Sequence, residues 1–349
     1  MTLASALKTG DVAELPSRRQ EDWRWSDLRG LIRTIPAASP PGDAARLGDG
    51  PFSALADEQV VFLNGRRVTG EAAITVDAGG ARTIALRFVS QASGTAHHAA
   101  IALTLAPGAT AVLLESYEGD GEAYVADAAL DIRLGQGARL ERIALVEEAG
   151  DAVAVSTAEV VLSPGASLAQ TVLTRGAKRQ RHETRVHHGG GGAELRLDGI
   201  YLLDGPRHAD LTTAVTHEST DGVTRQLTKG ALRGASRAVF QGRIVVREGA
   251  DRTDARMGHH ALILSERAEV DAKPELEIYA DDVACAHGNT VGALDEEALF
   301  YARSRGIPEP DARAMLTEAF VGEVVDRIEH DGARDLARAW VTDRLRGAE

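Results

Sequence analysis

The chain has 349 residues, more than one compact core usually holds, and its formal net charge of -13 disfavours nucleic acid as a partner. It has neither an apolar run of roughly 18 residues nor an apolar export leader, which predicts a cytoplasmic protein that does not enter the membrane. The single cysteine excludes an internal disulfide, and 4% aromatic residues against 36 glycines predict a core filled by small side chains.

Residues 1–58 are predicted to form an N-terminal helical segment and linker. Ser17 is a suitable N-cap, Trp23 and Leu28 lie on one apolar helical side, and Pro36 marks the end of the helix. Two of the three tryptophans lie in this segment. We expect them to pack onto a neighbouring module rather than to bind a ligand.

Residues 59–292 are predicted to be a mainly β core. Short runs of Val, Ile, Leu and Thr between turn residues are typical of strands, and hardly any helical periodicity interrupts them. A pattern ending in Gly-Ala recurs about every 28 residues, which indicates stacked coils. The copies, of which the last two are weaker, are Leu105–Ala109, Leu134–Ala138, Leu162–Ala166, Gly192-Ala193 and Gly234-Ala235. A parallel β-helix (solenoid) is therefore favoured over a jelly roll or sandwich, which uses similar strands and turns.

Residues 293–349 are predicted to be a C-terminal helical domain. Asp295 can cap a helix through Ser304, Gly306 ends that helix, and two further amphipathic helices follow. Two roles stay open for these helices. They either cap the last turn of the solenoid or form a docking surface for another subunit.

Several other motifs carry little chemistry. The adjacent histidines of each pair point to opposite faces of a strand and cannot chelate one ion without a bend, although histidines of different coils can still converge. These pairs are His97-His98, His187-His188 and His259-His260. The glycine run at 189–192 continues into a strand rather than a helix, so it is interpreted as a turn, and we expect no bound nucleotide.

The only thiol, Cys285, lies two residues from the imidazole of His287. Residues two apart on a strand face the same side, so the pair suits a shared metal ion or cluster; a small buried cysteine is the alternative. A cluster normally takes four protein ligands, so the pair supplies only part of a site. A partner must provide the remainder.

Acidic residues crowd the stretch before Cys285. Glu275 and Glu277 alternate with Leu276 and Ile278, which is typical of a half-buried strand whose polar side faces water. The alternative function is a β-helix carbohydrate-active enzyme that uses clustered carboxylates as acid and base.

The chain resembles the SufB and SufD family of iron–sulfur cluster assembly proteins, and within that family it is similar to SufD. The resemblance is carried by Lys273 to Val283, Cys285, His287-Gly288, Thr290-Val291-Gly292, Ser304-Arg305-Gly306-Ile307 and, near the start, Glu21-Asp22-Trp23-Arg24-Trp25. Because the chain has no second cysteine, it lacks the further core cysteines typical of SufB.

The resemblance implies a right-handed parallel β-helix between helical ends and a non-catalytic scaffold subunit. It implies pairing with SufB through the last turns, binding of the ATPase SufC through the C-terminal helices, and a homodimer when the chain is isolated. Cys285 and His287 are then expected to bind iron or a transient iron–sulfur cluster shared with SufB. In the remaining alternative, the chain only stabilises SufB and Cys285 belongs to the core.

Three positions depart from the family pattern. Lys is common before the cysteine and Ser between the two donors, whereas this chain has Ala284 and Ala286. Because a neighbouring lysine favours the thiolate, we expect its absence to raise the pKa of Cys285 and reduce its reactivity. Asn289, where Ala is frequent, is expected to be neutral.

Overall fold

The computed structural model describes residues 1–346, which form a mainly β parallel solenoid of about eight turns with helices mostly at the termini. The elements follow in this order: α1 (Leu3–Thr9), 3-10 turns at Val12–Glu14, Glu21–Trp23, Ala44–Arg46 and Ser53–Leu55, β1 (Glu58–Leu63), β2 (Arg66–Thr69), β3 (Ala73–Val76), β4 (Ala81–Ser90), β5 (Ala96–Leu105), β6 (Thr110–Gly119), β7 (Val125–Leu134), β8 (Arg139–Glu147), β9 (Val153–Leu162), β10 (Ser167–Thr174), β11 (Arg179–His188), β12 (Glu194–Leu203), β13 (His208–His217), β14 (Val223–Leu232), β15 (Arg237–Val246), β16 (Asp254–Ile263), β17 (Glu269–Ile278), β18 (Ala284–Gly292), α2 (Glu296–Ser304), α3 (Glu309–Val325) and α4 (Asp331–Arg346).

From β2 onward, successive strands alternate between two sheets that enclose the core. One sheet has ten strands in the order β18-β16-β14-β12-β10-β8-β6-β4-β1-β2, and the other has eight in the order β17-β15-β13-β11-β9-β7-β5-β3. Neighbouring strands are parallel, except in the β1–β2 hairpin. The predicted parallel β-helix is confirmed, and the alternative of a sandwich or jelly roll is wrong. The right-handed sense of the β-helix stays a prediction.

The strands keep one register from turn to turn. Thr110 of β6 pairs with Arg139 of β8, which pairs with Ser167 of β10, so successive turns are 29 and 28 residues long. This spacing agrees with the period of the sequence repeat. Each turn therefore stacks equivalent residues above one another.

The Gly-Ala repeat marks one corner of the solenoid. Gly108, Gly137 and Gly165 have φ values of +70°, +64° and +66°, a conformation that favours glycine, and the alanine after each is buried. Gly192 occupies the same corner with φ +66°. Gly234 lies instead at the opposite corner, between β14 and β15, and the alanine after it is exposed, so this last copy is not equivalent.

Small aliphatic side chains fill most of the space between the sheets, as predicted. A buried ion pair is included in this core. Arg142, which is 0% exposed, donates to both carboxylate oxygens of Glu115 at 2.5 and 2.8 Å, and to Gln170 at 2.6 Å. Tyr117 also donates to Glu115, at 2.9 Å. The pair is thus fully hydrogen-bonded inside an apolar solenoid.

The helix predicted from Ser17 is wrong, since only the short 3-10 turn at Glu21–Trp23 forms there. The segment instead docks on the outer face of the eight-stranded sheet. Buried Arg181 donates to the carbonyl of Asp22 at 2.6 Å and lies 4.3 Å from the ring centre of Trp23. These tertiary contacts use backbone carbonyls that a helix would have used internally. The expected packing of Trp23 onto a neighbouring module is confirmed.

The C-terminal helices cover the outer face of the ten-stranded sheet. Asp295 caps α2 by accepting from two backbone N–H groups, as predicted. In α3 and α4, Val321 and Trp340 pack against outward side chains of the sheet such as Leu145 and Ile200. The helices therefore shield a sheet face, and of the two roles left open, capping of the last turn is wrong for the residues that the structure describes.

Candidate functional site

The site forms at the open C-terminal end of the solenoid. β17 and β18 are the last strands of their sheets, and each pairs with a neighbour on one side only. The inward side chains Ala255 and Met257 of β16 are buried, at 0% and 2% exposure. Their register partners on β18 are Cys285 and His287, over which residues 1–346 place no further turn. An inward row of the last strand is thus open to an external molecule.

Cys285 and His287 lie on the same face of β18, as predicted from their spacing. Cys285 is half-buried and packs against the edge of the core, whereas His287 is exposed. Across residues 1–346, no three His, Cys, Asp or Glu side chains are grouped in a way that could hold a metal ion. The pair offers one thiol and one imidazole toward the open end.

Partial burial raises the pKa of the Cys285 thiol, and the charge of Asp254 adds to this, while a hydrogen bond from the Ala255 backbone opposes it. The direction agrees with the expectation drawn from Ala284, but the leading cause is burial. The thiol is thus predominantly protonated at neutral pH. Binding a metal ion or cluster would require the loss of that proton.

Asn289 extends the inward row and was not predicted as a site residue. Its carbonyl oxygen lies 2.6 Å from Nδ1 of His259, its register partner on β16. His259 is 0% exposed, its Nε2 lies 2.8 Å from the hydroxyl of Tyr201, and its ring stacks on Phe240 at 4.6 Å. The repeat holds the signal that would have found this contact, because one period of about 30 residues separates His259 from Asn289.

A second chain of polar side chains crosses the outer face of the same strands. Thr290 of β18 lies 2.7 Å from Nδ1 of His260. In register with His260 on β14 is Lys229, which donates to Glu323 of α3 at 2.5 Å. Lys229 also lies 4.7 Å from the ring centre of Phe320. The strand that carries Cys285 is therefore linked to α3 by successive polar neighbours.

The free edges of the two last strands differ. The backbone N–H of Ala284 points toward β16, so those of Cys285 and His287 point to the free edge of β18. In β17, Glu269 donates toward β15, which places the even-numbered positions, including Pro274, on its free edge. Proline has no N–H, so this edge is interrupted. β18 carries no proline and offers the more regular edge for pairing.

The histidine pairs behave as predicted. His97 contacts Ser39 and Ser90, while His98 bonds Asp127 on the opposite face of the strand. Histidines of different turns do converge in one place, where the rings of His188 and His217 lie 4.3 Å apart between their centres. Both rings are buried, and burial lowers both pKa values, that of His217 to about 3. Both are therefore neutral at pH 7.

The carboxylates of β17 lie on its outer face, as predicted, and three of them contact basic side chains. Lys273 lies 3.0 Å from Glu275 and 2.7 Å from Glu21 of the N-terminal segment. Asp271 lies 2.6 Å from Arg237. Asp271 and Glu275 thus form ion pairs within the chain, and no geometry of an acid and base pair singles out two carboxylates of this strand.

Comparison with known proteins identifies the family. Residues 88–320, from β4 into α3, match the model described as SUF system FeS cluster assembly, SufBD core domain. The chain belongs to the SufBD family. The match includes Cys285 and His287 and assigns this SufBD chain to iron–sulfur cluster assembly.

Similar proteins include the iron–sulfur cluster assembly protein SufD of Escherichia coli (strain K12), 29% identical over 99% of this chain and 92% of that protein. The SufBD family protein Mb1497 of Mycobacterium bovis is 26% identical over 96% of this chain and 90% of that protein. The SufBD family protein slr0076 of Synechocystis is 31% identical over 57% of this chain and 44% of that protein. The predicted similarity to SufD is confirmed. Within residues 1–346, no helix is both long and apolar enough to span a membrane.

Proposed function

We propose that this SufBD chain is a non-catalytic scaffold subunit that pairs with SufB and binds the ATPase SufC. At the SufB interface, Cys285 and His287 supply part of the ligand set for iron or a nascent iron–sulfur cluster. The cluster is cargo that the complex builds and releases. The observation that carries this proposal is a thiol and an imidazole on one inward row of a strand that no other turn of the described part of the chain covers.

The shape of the open end supports a partner that adds strands to it. Ile278, Tyr279 and Val291 are 43%, 58% and 44% exposed at this end, an apolar group that a further β turn would bury. The uninterrupted edge of β18 provides backbone donors and acceptors for the added strand. A second copy of this chain has the same edge, so we expect a homodimer when SufB is missing.

The ligand assignment is tested by reconstituting clusters with SufB and SufC. Cys285→Ala and His287→Ala are each expected to lower the iron and sulfide retained by the complex, because each removes one donor from the shared site. Ala286→Ser is the matched control, since it changes the outward position between the two donors on the same strand. Iron and sulfide contents equal to wild type in both donor variants would exclude the assignment.

The pairing edge is tested with Val291→Pro and its control Val291→Ala. The N–H of this residue points to the free edge, so proline removes a donor without breaking a bond to β16. We expect the proline variant to stay folded but to lose SufB in copurification, while the alanine variant keeps it. Equal recovery of SufB with both variants would argue against pairing through β18.

The helices supply the proposed surface for SufC. Phe300 and Tyr301 of α2 and Met315 of α3 are 73%, 60% and 52% exposed. Removing α3 and α4 would uncover the apolar face of the ten-stranded sheet, so point substitutions are the cleaner test. Phe300→Ser with Tyr301→Ser is expected to lose SufC and to keep SufB. Normal SufC binding by this double variant would refute the assignment of the surface to α2.

A further inference from the structure

The inward row of β18 does not end at His287. Asn289 follows two residues later on the same face, about 7 Å further along the strand. It is exposed, yet its carbonyl oxygen is fixed by the ring of His259 at 2.6 Å. This hydrogen bond from the core restricts the exposed side chain of Asn289 to one conformation. Side chains that bind a ligand are typically held in this way by supporting hydrogen bonds.

The hydrogen bonds define which group Asn289 turns to the open end. Its carbonyl oxygen only accepts, so Nδ1 of His259 carries the proton. Nε2 of His259 must then accept from the hydroxyl of Tyr201, at 2.8 Å. Burial lowers the pKa of His259 to about 4, so the ring is neutral at pH 7 and carries a single proton, which the contact with the Asn289 carbonyl places on Nδ1. Within residues 1–346 the amide nitrogen of Asn289 has no hydrogen-bond partner, and its two N–H groups remain available.

We infer that Asn289 is a third residue of the site, whose amide N–H donates a hydrogen bond to a sulfur atom of the cargo bound at Cys285 and His287. The inference rests on the proposed function. Hydrogen bonds to the sulfurs of a cluster stabilise it and set its electronic properties. His259 acts through Asn289 as a positioning residue, since it holds the carbonyl and thereby aims the amide.

The chain offers a matched pair of substitutions to test this role. Asn289→Leu removes an amide that contacts buried His259 from the inner face. Thr290→Val removes a hydroxyl that contacts His260 at 2.7 Å from the outer face of the same strand. Each variant loses one hydrogen bond to a histidine of β16. Only the first loses a donor that faces the cargo.

The complex with SufB and SufC is loaded with ferrous iron and sulfide, and iron loss to a chelator and visible absorption are followed. Asn289→Leu is expected to release iron at least about tenfold more readily and to shift the sulfur-to-iron absorption, as outer hydrogen-bond partners of metal sites do. Thr290→Val is expected to match wild type. If Asn289→Leu also matches wild type while Cys285→Ala loses iron, the inference is wrong and the proposed function stands. If Cys285→Ala and His287→Ala both retain as much iron as wild type, the proposed function fails.

A second measurement uses the isolated full-length chain and no cluster. Nitrogen-15 NMR of the histidine rings reports which ring nitrogen carries the proton. If Nδ1 of His259 is protonated in wild type and loses that proton in Asn289→Leu, the result supports the hydrogen bond from His259 to the Asn289 carbonyl. An Nε2-protonated ring in wild type would overturn it, whatever the cluster does.

Discussion

The buried ion pair of Arg142 and Glu115 gives the sharpest prediction for stability. The side chains of Arg142 and Glu115 are 1% and 0% exposed, and the guanidinium donates to both carboxylate oxygens. Burial alone would lower the pKa of Arg142, but the charge and hydrogen bonds of Glu115 more than compensate and raise it. Arg142 is therefore charged in the folded state. Arg142→Met leaves an unpaired carboxylate in the core.

Removing one partner of such a pair costs about 3–5 kcal/mol, because the remaining charge has lost its compensation. We expect Arg142→Met to lower the free energy of unfolding by this amount. Adding Glu115→Gln to the same chain should recover a large part of the loss, since it removes the uncompensated charge. The same substitution at Arg133, whose pair with Asp131 is 61% and 49% exposed, should cost within about 1 kcal/mol.

Urea unfolding, followed by circular dichroism and by tryptophan fluorescence, measures these differences. Two probes are needed because a solenoid can unfold in parts, and the free energies are compared only where both transitions coincide. A loss below about 1 kcal/mol for Arg142→Met would refute the reasoning. So would a double variant that loses the sum of the two single effects, because independent sites add and coupled ones do not.

Two further predictions concern stability. Burial raises the pKa of Glu148 to about 7 from an unfolded value near 4.5, so the folded state holds its proton more tightly and wild-type stability falls as pH rises through this window. Glu148→Gln should make the free energy of unfolding less dependent on pH in this window, by at most about 3 kcal/mol. Identical pH profiles of the unfolding midpoint in wild type and Glu148→Gln would contradict this prediction. A methyl group at Gly230 would lie within the ring of Tyr201, so Gly230→Ala should cost about 1–3 kcal/mol. Gly288→Ala, which meets no atom within 4 Å, should leave the melting temperature nearly unchanged, and equal losses in the two alanine variants would contradict the packing argument.

The coil was predictable because one corner of each turn imposes a chemical requirement. The corner needs a residue with positive φ, as at Gly137, followed by a small buried side chain, as at Ala138. Few residue types meet either requirement, so Gly-Ala recurs along the chain. The spacing of Cys285 and His287 likewise determined their common face, since side chains alternate on a strand. Local rules of this kind can be read directly from a sequence.

Contacts between distant segments could not be predicted in the same way. The N-terminal segment has helical signals, but Arg181, more than 150 residues later, takes a carbonyl of that segment and stacks on Trp23. The side of the solenoid covered by α3 and α4 depends on outward apolar residues such as Ile200, which look like core residues in a strand pattern. The replacement of the frequent Ala by Asn289 was predicted to have no effect, because the role of Asn289 depends on its contact with His259 in the preceding turn.

The two ends of the solenoid have opposite consequences for assembly. At the N-terminal end, β2 is a four-residue antiparallel strand with Arg66 and Arg67, a short and charged edge that discourages pairing. The C-terminal end is open. A solenoid that could pair strands at both ends would assemble head to tail into fibres. A solenoid that can pair strands at one end only forms a single end-to-end contact and then stops. The short, charged β2 therefore gives the ten-stranded sheet only one edge suited to pairing, at β18, and the repeated end-to-end joining that builds a fibre would need two.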